Sequence, residues 1–289
     1  ALTRMTRMTR MTRTMTRKRE RALFGVLVAL GLLVLFPVLY TVCNSFMSPE
    51  EVEAVYGGGQ ATFRLFPHTF SLAAYYDVFL ASPNYLFKFW TSLLLCAAIT
   101  IGQVFVSIFG GLAFSKFHFP GGRVLFCLLL LFMLLPTQVT LLPNYLILDR
   151  LHLLNTWWAL LLPAVFSPFG TFLMEIVFQN VPRVLIESAY LDGAGVFSVL
   201  FRVMAPAAKP GWVATAVLTF VDAWNLVEQP MVFLSDPKQY PLSIFLATVS
   251  EQNFSLQFVC GILSLLPVSL LFLFWSEELS EGIAFSGLK

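Results

Sequence analysis

The side chains of this sequence that could do chemistry are few, and they fall into two groups. The first is the stretch Asn180–Gly195, where the acids Glu187 and Asp192 stand among the small residues Ser188, Ala189, Gly193, Ala194 and Gly195. The second is Asp222, Asn225 and Glu228, spaced by three inside an apolar run, with Trp224 between them. Residues three or four apart share one face of a helix, so the trio predicts a polar stripe. Charges at membrane depth are costly, and they usually line an aqueous path or meet a partner. One reading has the stripe contact the hydroxyls of a polar ligand, with the Trp224 ring as a flat platform. Hydrogen bonding between helices is the commoner use of such residues. Gln103, Gln138 and Glu175 lie in or near other apolar runs, and Glu175 is close enough to a run's end to snorkel.

Other chemistries lack their residues. Cys43, Cys96, Cys127 and Cys260 are scattered, as are His68, His118 and His152, and no Cys-x-x-Cys pair occurs. Neither a metal site nor a disulfide framework is expected, and the cysteines read as packing residues. No Gly-x-x-x-x-Gly-Lys-Ser/Thr loop is present, and Gly57-Gly58-Gly59 runs into Gln60. If the protein uses ATP, another chain must bind it.

Composition says what must position the two polar groups. Of 289 residues, 58% are hydrophobic and 12% charged, about half the roughly 25% charged share of a soluble domain. The surplus apolar surface needs lipid. A bilayer crossing takes about 20 apolar residues of helix, and six runs qualify: Ala22–Val42, Phe89–Phe114, Val124–Leu148, Trp157–Phe178, Trp212–Leu234 and Phe254–Trp275. The first follows basic residues, as a signal peptide would. Its apolar core is too long and no Ala-x-Ala site follows, so it reads as an uncleaved anchor. Trp90, Tyr145, Trp157, Trp158, Trp212 and Trp275 sit near run edges, where an interfacial aromatic belt places them. Pro136 and Pro143 punctuate the third run, Pro163 and Pro168 the fourth; they predict kinks, either in a gate or pocket wall or in ordinary packing.

Orientation follows from Lys and Arg. With the N-terminus inside, the inner segments hold Arg4, Arg7, Arg10, Arg13, Arg17, Lys18, Arg19, Arg21, Lys116, Arg123, Arg183, Arg202, Lys209 and Lys289. The outer segments hold Arg64, Lys88, Arg150 and Lys238, so the count is 14 against 4. The positive-inside rule then puts both termini in the cytoplasm. The expected organisation is a basic cytoplasmic tail (1–21), a first span (22–42), an outer loop (43–88), a five-helix membrane core (89–276) and a cytoplasmic tail (277–289). The Met-Thr-Arg repeats of the first tail are low complexity and read as a disordered basic tail drawn to anionic lipid, with no fold implied. The outer loop has room for short helices, with Glu50, Glu51 and Glu53 ahead of its Gly-rich turn.

On this orientation the first polar group lies inside, in a segment at 180–206. Pro182 suits a helix's first turn, Arg183 and Glu187 are four apart and able to pair, and Gly193 suits the residue beyond a helix end. Val196–Ala205 reads as a second short helix stopped at Pro206. The result is a helix–turn–helix whose small residues leave room for a partner and whose acids offer contacts to basic groups. A plain amphipathic surface helix is the rival, but such helices favour Lys and Arg on the polar side.

Glu187-Ser188-Ala189-Tyr190-Leu191-Asp192-Gly193-Ala194, followed by Pro206, resembles the EAA loop of ABC importer permeases, with Ser188 where that family usually has alanine. Leu135-Pro136, Asn155-Thr156, Trp224-Asn225 and the tail Glu281-Gly282…Gly287-Leu288-Lys289 follow in the order found in the carbohydrate-importer branch that includes the maltose and glycerol-3-phosphate systems. The likeness runs from about Trp90 to the C-terminus. It implies an all-α membrane protein with six transmembrane helices, N-in and C-in, in the type I importer permease fold. It implies a transport subunit rather than an enzyme, in a cell inner or plasma membrane, forming half of a pore for a sugar or related carbohydrate. The implied partners are a second permease, two ATPase subunits carrying ATP and Mg²⁺, an extracytoplasmic substrate-binding protein and membrane lipid, with no nucleic acid. Glu187, Ser188, Ala189, Asp192, Gly193 and Ala194 would seat in the ATPase, and the tail from Gly282 would reach the same interface. Asp222, Trp224, Asn225, Glu228 and Pro136 are the candidate substrate path or gate; in maltose-type systems one permease can hold most of the substrate contacts while its partner gates. The alternative is a stand-alone secondary transporter or channel using Asp222 and Glu228 as an ion or proton relay, which the lack of an internal repeat disfavours.

Overall fold

A computed structural model describes residues 2–57, 63–81, 84–249 and 254–287. Among them the backbone is helical, and the one β-type pairing is an isolated bridge between Met47 and Phe70. The chain divides into two compact units, Ala1–Val78 with Asn253–Ile262 and Phe79–Gln252 with Leu263–Lys289.

In the first unit, α1 (Leu2–Ser45) is one continuous helix. The basic tail, expected without structure, is therefore helical; Arg, Lys and Met are good helix formers and extend the apolar run Leu23–Ser45. Ser48 starts α2 (Pro49–Tyr56) by accepting from Glu51 N–H, with Pro49 in the first turn. The Glu51 carboxylate then gathers the segment that follows. It accepts from Arg64 Nη1 at 3.0 Å, His68 N at 2.9 Å, Thr69 N at 3.0 Å and Thr69 Oγ1 at 2.8 Å. Desolvation alone would raise its pKa, but these donors outweigh it and hold the carboxyl at about 2. Met47, Val52, Val55, Ala74 and Val78 are buried as a small core, with α3 at Ala73–Tyr76. Gly58 and Gly59 of the expected turn lie outside the described residues.

In the second unit, α4 (Asn84–Lys116) is the axle and packs most heavily on α8 and α12. Glycines make the close approach possible. A Cβ on Gly111 would stand 2.6 Å from Met174 Cβ and 2.7–2.8 Å from backbone atoms, and one on Gly211 would stand 2.6 Å from Val177 Cγ2. Small residues at crossings are how membrane helices gain contact where lipid offers no hydrophobic drive. The remaining helices are α5 (Gly122–Met133), α6 (Thr137–Arg150), α7 (Trp158–Val165), α8 (Pro168–Gln179), α9 (Arg183–Leu191), α10 (Val196–Val199), α11 (Ala205–Ala207), α12 (Lys209–Trp224), α13 (Glu228–Phe233) and α14 (Leu242–Val249). The last, α15 (Phe254–Gly287), has a non-helical residue at Trp275.

Four stretches are long and apolar enough to cross a bilayer: Leu23–Ser45, Asn84–Lys116, Trp158–Gln179 and Phe254–Gly282. Two of the expected runs are broken instead. The third splits into α5 and α6, bent by 109°, because Pro136 withholds an N–H and its ring clashes with the preceding turn. The fifth stops at Trp224, four residues short of α13. There Pro230 would clash with the Leu226 carbonyl, and that freed carbonyl accepts from Ser243 Oγ at 2.5 Å.

Lys88 ties down the end of this unit. Lys88 is 9% exposed, and its ammonium donates to the carbonyls of Pro237, Lys238 and Tyr240 at 2.5–2.9 Å.

Candidate functional site

The helix–turn–helix is present, with two corrections. Pro182 is the N-cap of α9 rather than its first helical residue. The second helix runs through Pro206 to Ala207, because a π-turn at Leu200–Met204 opens the carbonyl ladder just ahead of the proline. The turn itself closes as the sequence requires. Gly193 has φ +81°, its N–H meets Tyr190 O at 3.0 Å, and Ala194 N–H meets Ala189 O at 3.0 Å. That pair of bonds is the Schellman closure of a helix C-terminus.

One face of the loop is anchored. Ile186, Ala189 and Ala194 pack on a core of Leu112, Met174, Val177, Phe178, Val199, Leu200 and Met204. The other face is bare: Glu187, Ser188, Asp192 and Gly193 are exposed, and Leu191 is 90% and Val184 72% exposed. Arg183 and Glu187 do not pair; the ion pairs among the described residues are Arg64–Glu51 and Lys209–Glu278. Instead Glu187 borders a cavity of about 350 Å³ that Lys116, His118, Arg183 and Tyr190 also line.

The tail of α15 docks beside the start of α12. Glu278 takes Lys209 Nζ at 2.7 Å, Leu279 is buried against Val213, Ala214 and Val217, and Gly282 lies against the Pro210 carbonyl. Leu288 and Lys289 fall outside the described residues.

The second polar group does not form a single helical stripe. Asp222 is on α12, Asn225 caps it by donating to Val221 O at 2.8 Å, and Glu228 opens α13. The break nevertheless leaves all three on one cavity of about 880 Å³, with Gln103, Thr137, Thr140, Asn144, Thr219 and Gln229. Glu228 Oε1 accepts from Gln138 Nε2 at 2.8 Å and Oε2 lies 3.5 Å from Thr137 Oγ1. Its charge therefore sits at the N-terminus of α6, the favourable end for an anion. The breaks at Pro136 and at Asn225 thus meet through one carboxylate.

Trp224 is not on this cavity. It is 8% exposed, donates from Nε1 to Ser264 O at 3.1 Å and stacks on Phe220. A large ring on the apolar side of α12 gains more by burial than by facing water. Pro136 is the N-cap of α6 within the break, and its neighbours Leu135 and Thr137 line the cavity. Glu175 is buried on α8 and accepts from Gln179 rather than snorkelling. Sequence reasoning missed Thr137, Thr140 and Asn144, whose spacing of three and four along α6 was the available signal. Asn155, with φ +60°, accepts Ser235 N–H on Oδ1 at 2.6 Å and donates to Phe233 O at 2.9 Å; it fixes the entry to α7 against the end of α13.

A broken-helix core around α4 with a protruding Schellman-capped loop is the fold of a type I ABC importer permease. A solved structure described as a bacterial ABC transporter involved in the import of the acidic polysaccharide alginate matches with TM-score 0.74 at 23% identity, over 90% of this chain and 97% of that one. Residues 103–283 match the family described as binding-protein-dependent transport system inner membrane component, and the chain belongs to that family. It is a transport subunit. The arabinooligosaccharides transport system permease protein AraQ of Bacillus subtilis is 28% identical over 263 residues, 90% of this chain and 92% of that protein. The sn-glycerol-3-phosphate transport system permease protein UgpE of Yersinia pestis is 34% identical over 145 residues, 50% of this chain and 52% of that protein.

Proposed function

We propose that this chain is one permease half of an ATP-driven carbohydrate importer, coupled through Glu187–Ala194 to a separate ATPase that carries ATP and Mg²⁺. It crosses the membrane six times with both termini cytoplasmic, the third and fifth crossings being the broken pairs α5–α6 and α12–α13. Its partners are a second permease, two ATPase copies and an extracytoplasmic binding protein. The cargo class is taken from relatives named for an oligosaccharide, a glycerol phosphate and an acidic polysaccharide.

The observation that carries the coupling role is the two-sided loop. One face is fixed to the core by Ile186, Ala189 and Ala194, while the other offers Leu191 and Val184 bare beside Glu187 and Asp192. Apolar side chains left exposed next to acids suit a protein partner, and movement of that partner would reach α4 and α8 through the anchored face. ATP closes the ATPase dimer and shifts the pore only if the two permease states bind it unequally. The test is Glu187→Lys in the complete complex, reading recovery of the ATPase subunit and ATP hydrolysis stimulated by cargo-loaded binding protein. Loss of both is expected. Full stimulation would remove the coupling role. A stand-alone carrier driven by Asp222 and Glu228 is disfavoured by membership of a binding-protein-dependent family.

A further inference from the structure

We propose that the cavity beside Asp222 and Glu228 admits an uncharged polyhydroxyl cargo and turns away anionic ones. This rests on the carbohydrate-importer reading above and narrows it. The family context leaves the charge of the cargo open, since the relatives' names include both a phosphate ester and an acidic polysaccharide.

The wall carries two carboxylates and no lysine, arginine or histidine. Glu228 takes Gln138 on one oxygen and Thr137 on the other, and neither Glu228 nor Asp222 belongs to an ion pair among the described residues. Phe132, Leu135, Phe166 and Val227 are among the apolar residues of the lining, and no side chain of opposite charge stands on the wall beside the two carboxylates. A carboxylate or phosphate entering here meets like charges with no cation on the wall to offset them, which disfavours its ionised form or its entry.

A second, independent observation concerns hydrogen-bond supply. Thr219 borders the same cavity, is only 5% exposed, and its hydroxyl has no partner. Gln229 Oε1, also on the cavity, is buried without one. Buried polar atoms are normally paired, so two residues bordering one cavity each keep an oxygen with hydrogen-bonding capacity unused. Carboxylate and amide oxygens only accept, while a hydroxyl both gives and takes. A sugar supplies the missing donors and still accepts from the amides of Asn144 and Asn225. An anionic group brings acceptors only, and it places its charge on a wall that already holds Asp222 and Glu228. The volume of about 880 Å³ falls within the roughly 300–1,000 Å³ of small-molecule sites.

The test is uptake by cells expressing the complete importer, with levels of this chain matched by immunoblot. The probes are radiolabelled neutral pentose and hexose trisaccharides, the corresponding uronate trisaccharides and glycerol 3-phosphate. Neutral trisaccharide is expected to enter at least about tenfold faster than either anion. Equal or faster uptake of an anion overturns the proposal while leaving the carbohydrate reading intact; uptake of no probe overturns both. A second arm separates the pore from the binding protein's own preference. The double variant Asp222→Asn with Glu228→Gln is expected to narrow the neutral-to-anionic ratio, and an unmoved ratio overturns the proposal. Thr219→Val is expected to slow neutral uptake about three- to tenfold, the worth of one hydrogen bond, with recovery in Thr219→Ser. Equal uptake in the valine and serine variants overturns the hydroxyl's part in the proposal.

Discussion

Replacing Gly193 tests the geometry of the coupling loop with little disturbance elsewhere. The residue has φ +81°, and a Cβ built on it meets no atom within 4 Å. Alanine there creates no clash, which leaves only the left-handed backbone penalty of about 1–2 kcal/mol. That penalty falls on the closed turn, whose two 3.0 Å bonds from Gly193 N and Ala194 N are lost when the turn opens. The opening equilibrium should therefore rise by a factor of about 5–30. Asparagine tolerates positive φ and should cost less, while β-branched valine should cost more. Amide hydrogen exchange across residues 183–199 in the purified complex reads this directly. The expected order of protection is Gly, Asn, Ala, Val. Protection in Gly193→Ala equal to wild type, or in Gly193→Asn no better than in Gly193→Ala, would refute the claim that positive φ selects glycine here.

Three further outcomes follow from the rest of the fold. Lys88→Met strands three carbonyls that share one ammonium and should cost about 1–3 kcal/mol; thermal unfolding in mild detergent reads it, and an unchanged midpoint contradicts the clip. Gly111→Ala should cost about 1–3 kcal/mol by overpacking, because its nearest atoms include backbone that cannot retreat. Gly31→Ala, with open space around it, is the control, and equal effects would count against close helix packing. Glu51 is depressed from its ordinary 4.5 to about 2. A depressed carboxyl stabilises the fold above its unfolded pKa and loses that contribution as pH falls toward the folded value. Protection of the 64–70 amides should then drop between about pH 4.5 and 2, a dependence absent in Glu51→Gln; the same profile in both proteins would contradict the assignment.

Much of the loop was legible because its signals are local. Proline before a helix, glycine after it and small residues between them act within a few positions of one another. The Arg183–Glu187 pair failed because i, i+4 spacing only permits a contact: both residues border one cavity with Lys116 and His118 and still form no ion pair. The cavity was harder. Asp222, Asn225 and Glu228 were picked out for the wrong geometry: three-residue spacing implied one continuous helix, whereas Pro230 five residues past Asn225 ends that continuity. The residues still converge because the break folds back toward α6. Trp224 was misplaced for a related reason, since spacing gives a face only relative to an axis, and packing against Phe89 and Phe220 decides which face is buried. Lys88 and Glu51 carry no local signature at all. Their partners lie about 150 and up to 18 residues away, and only the folded chain brings them together.

On the proposed function, the bare face of α9 seats on a separate ATPase. A photo-cross-linking residue in place of Leu191, 90% exposed, tests it most directly in membranes containing the whole complex, with Phe63, 70% exposed in the other unit, as the control position. A cross-link from position 191 to the ATPase subunit and none from position 63 is the expected result. A cross-link to lipid alone at position 191, or an ATPase adduct only from position 63, would contradict it.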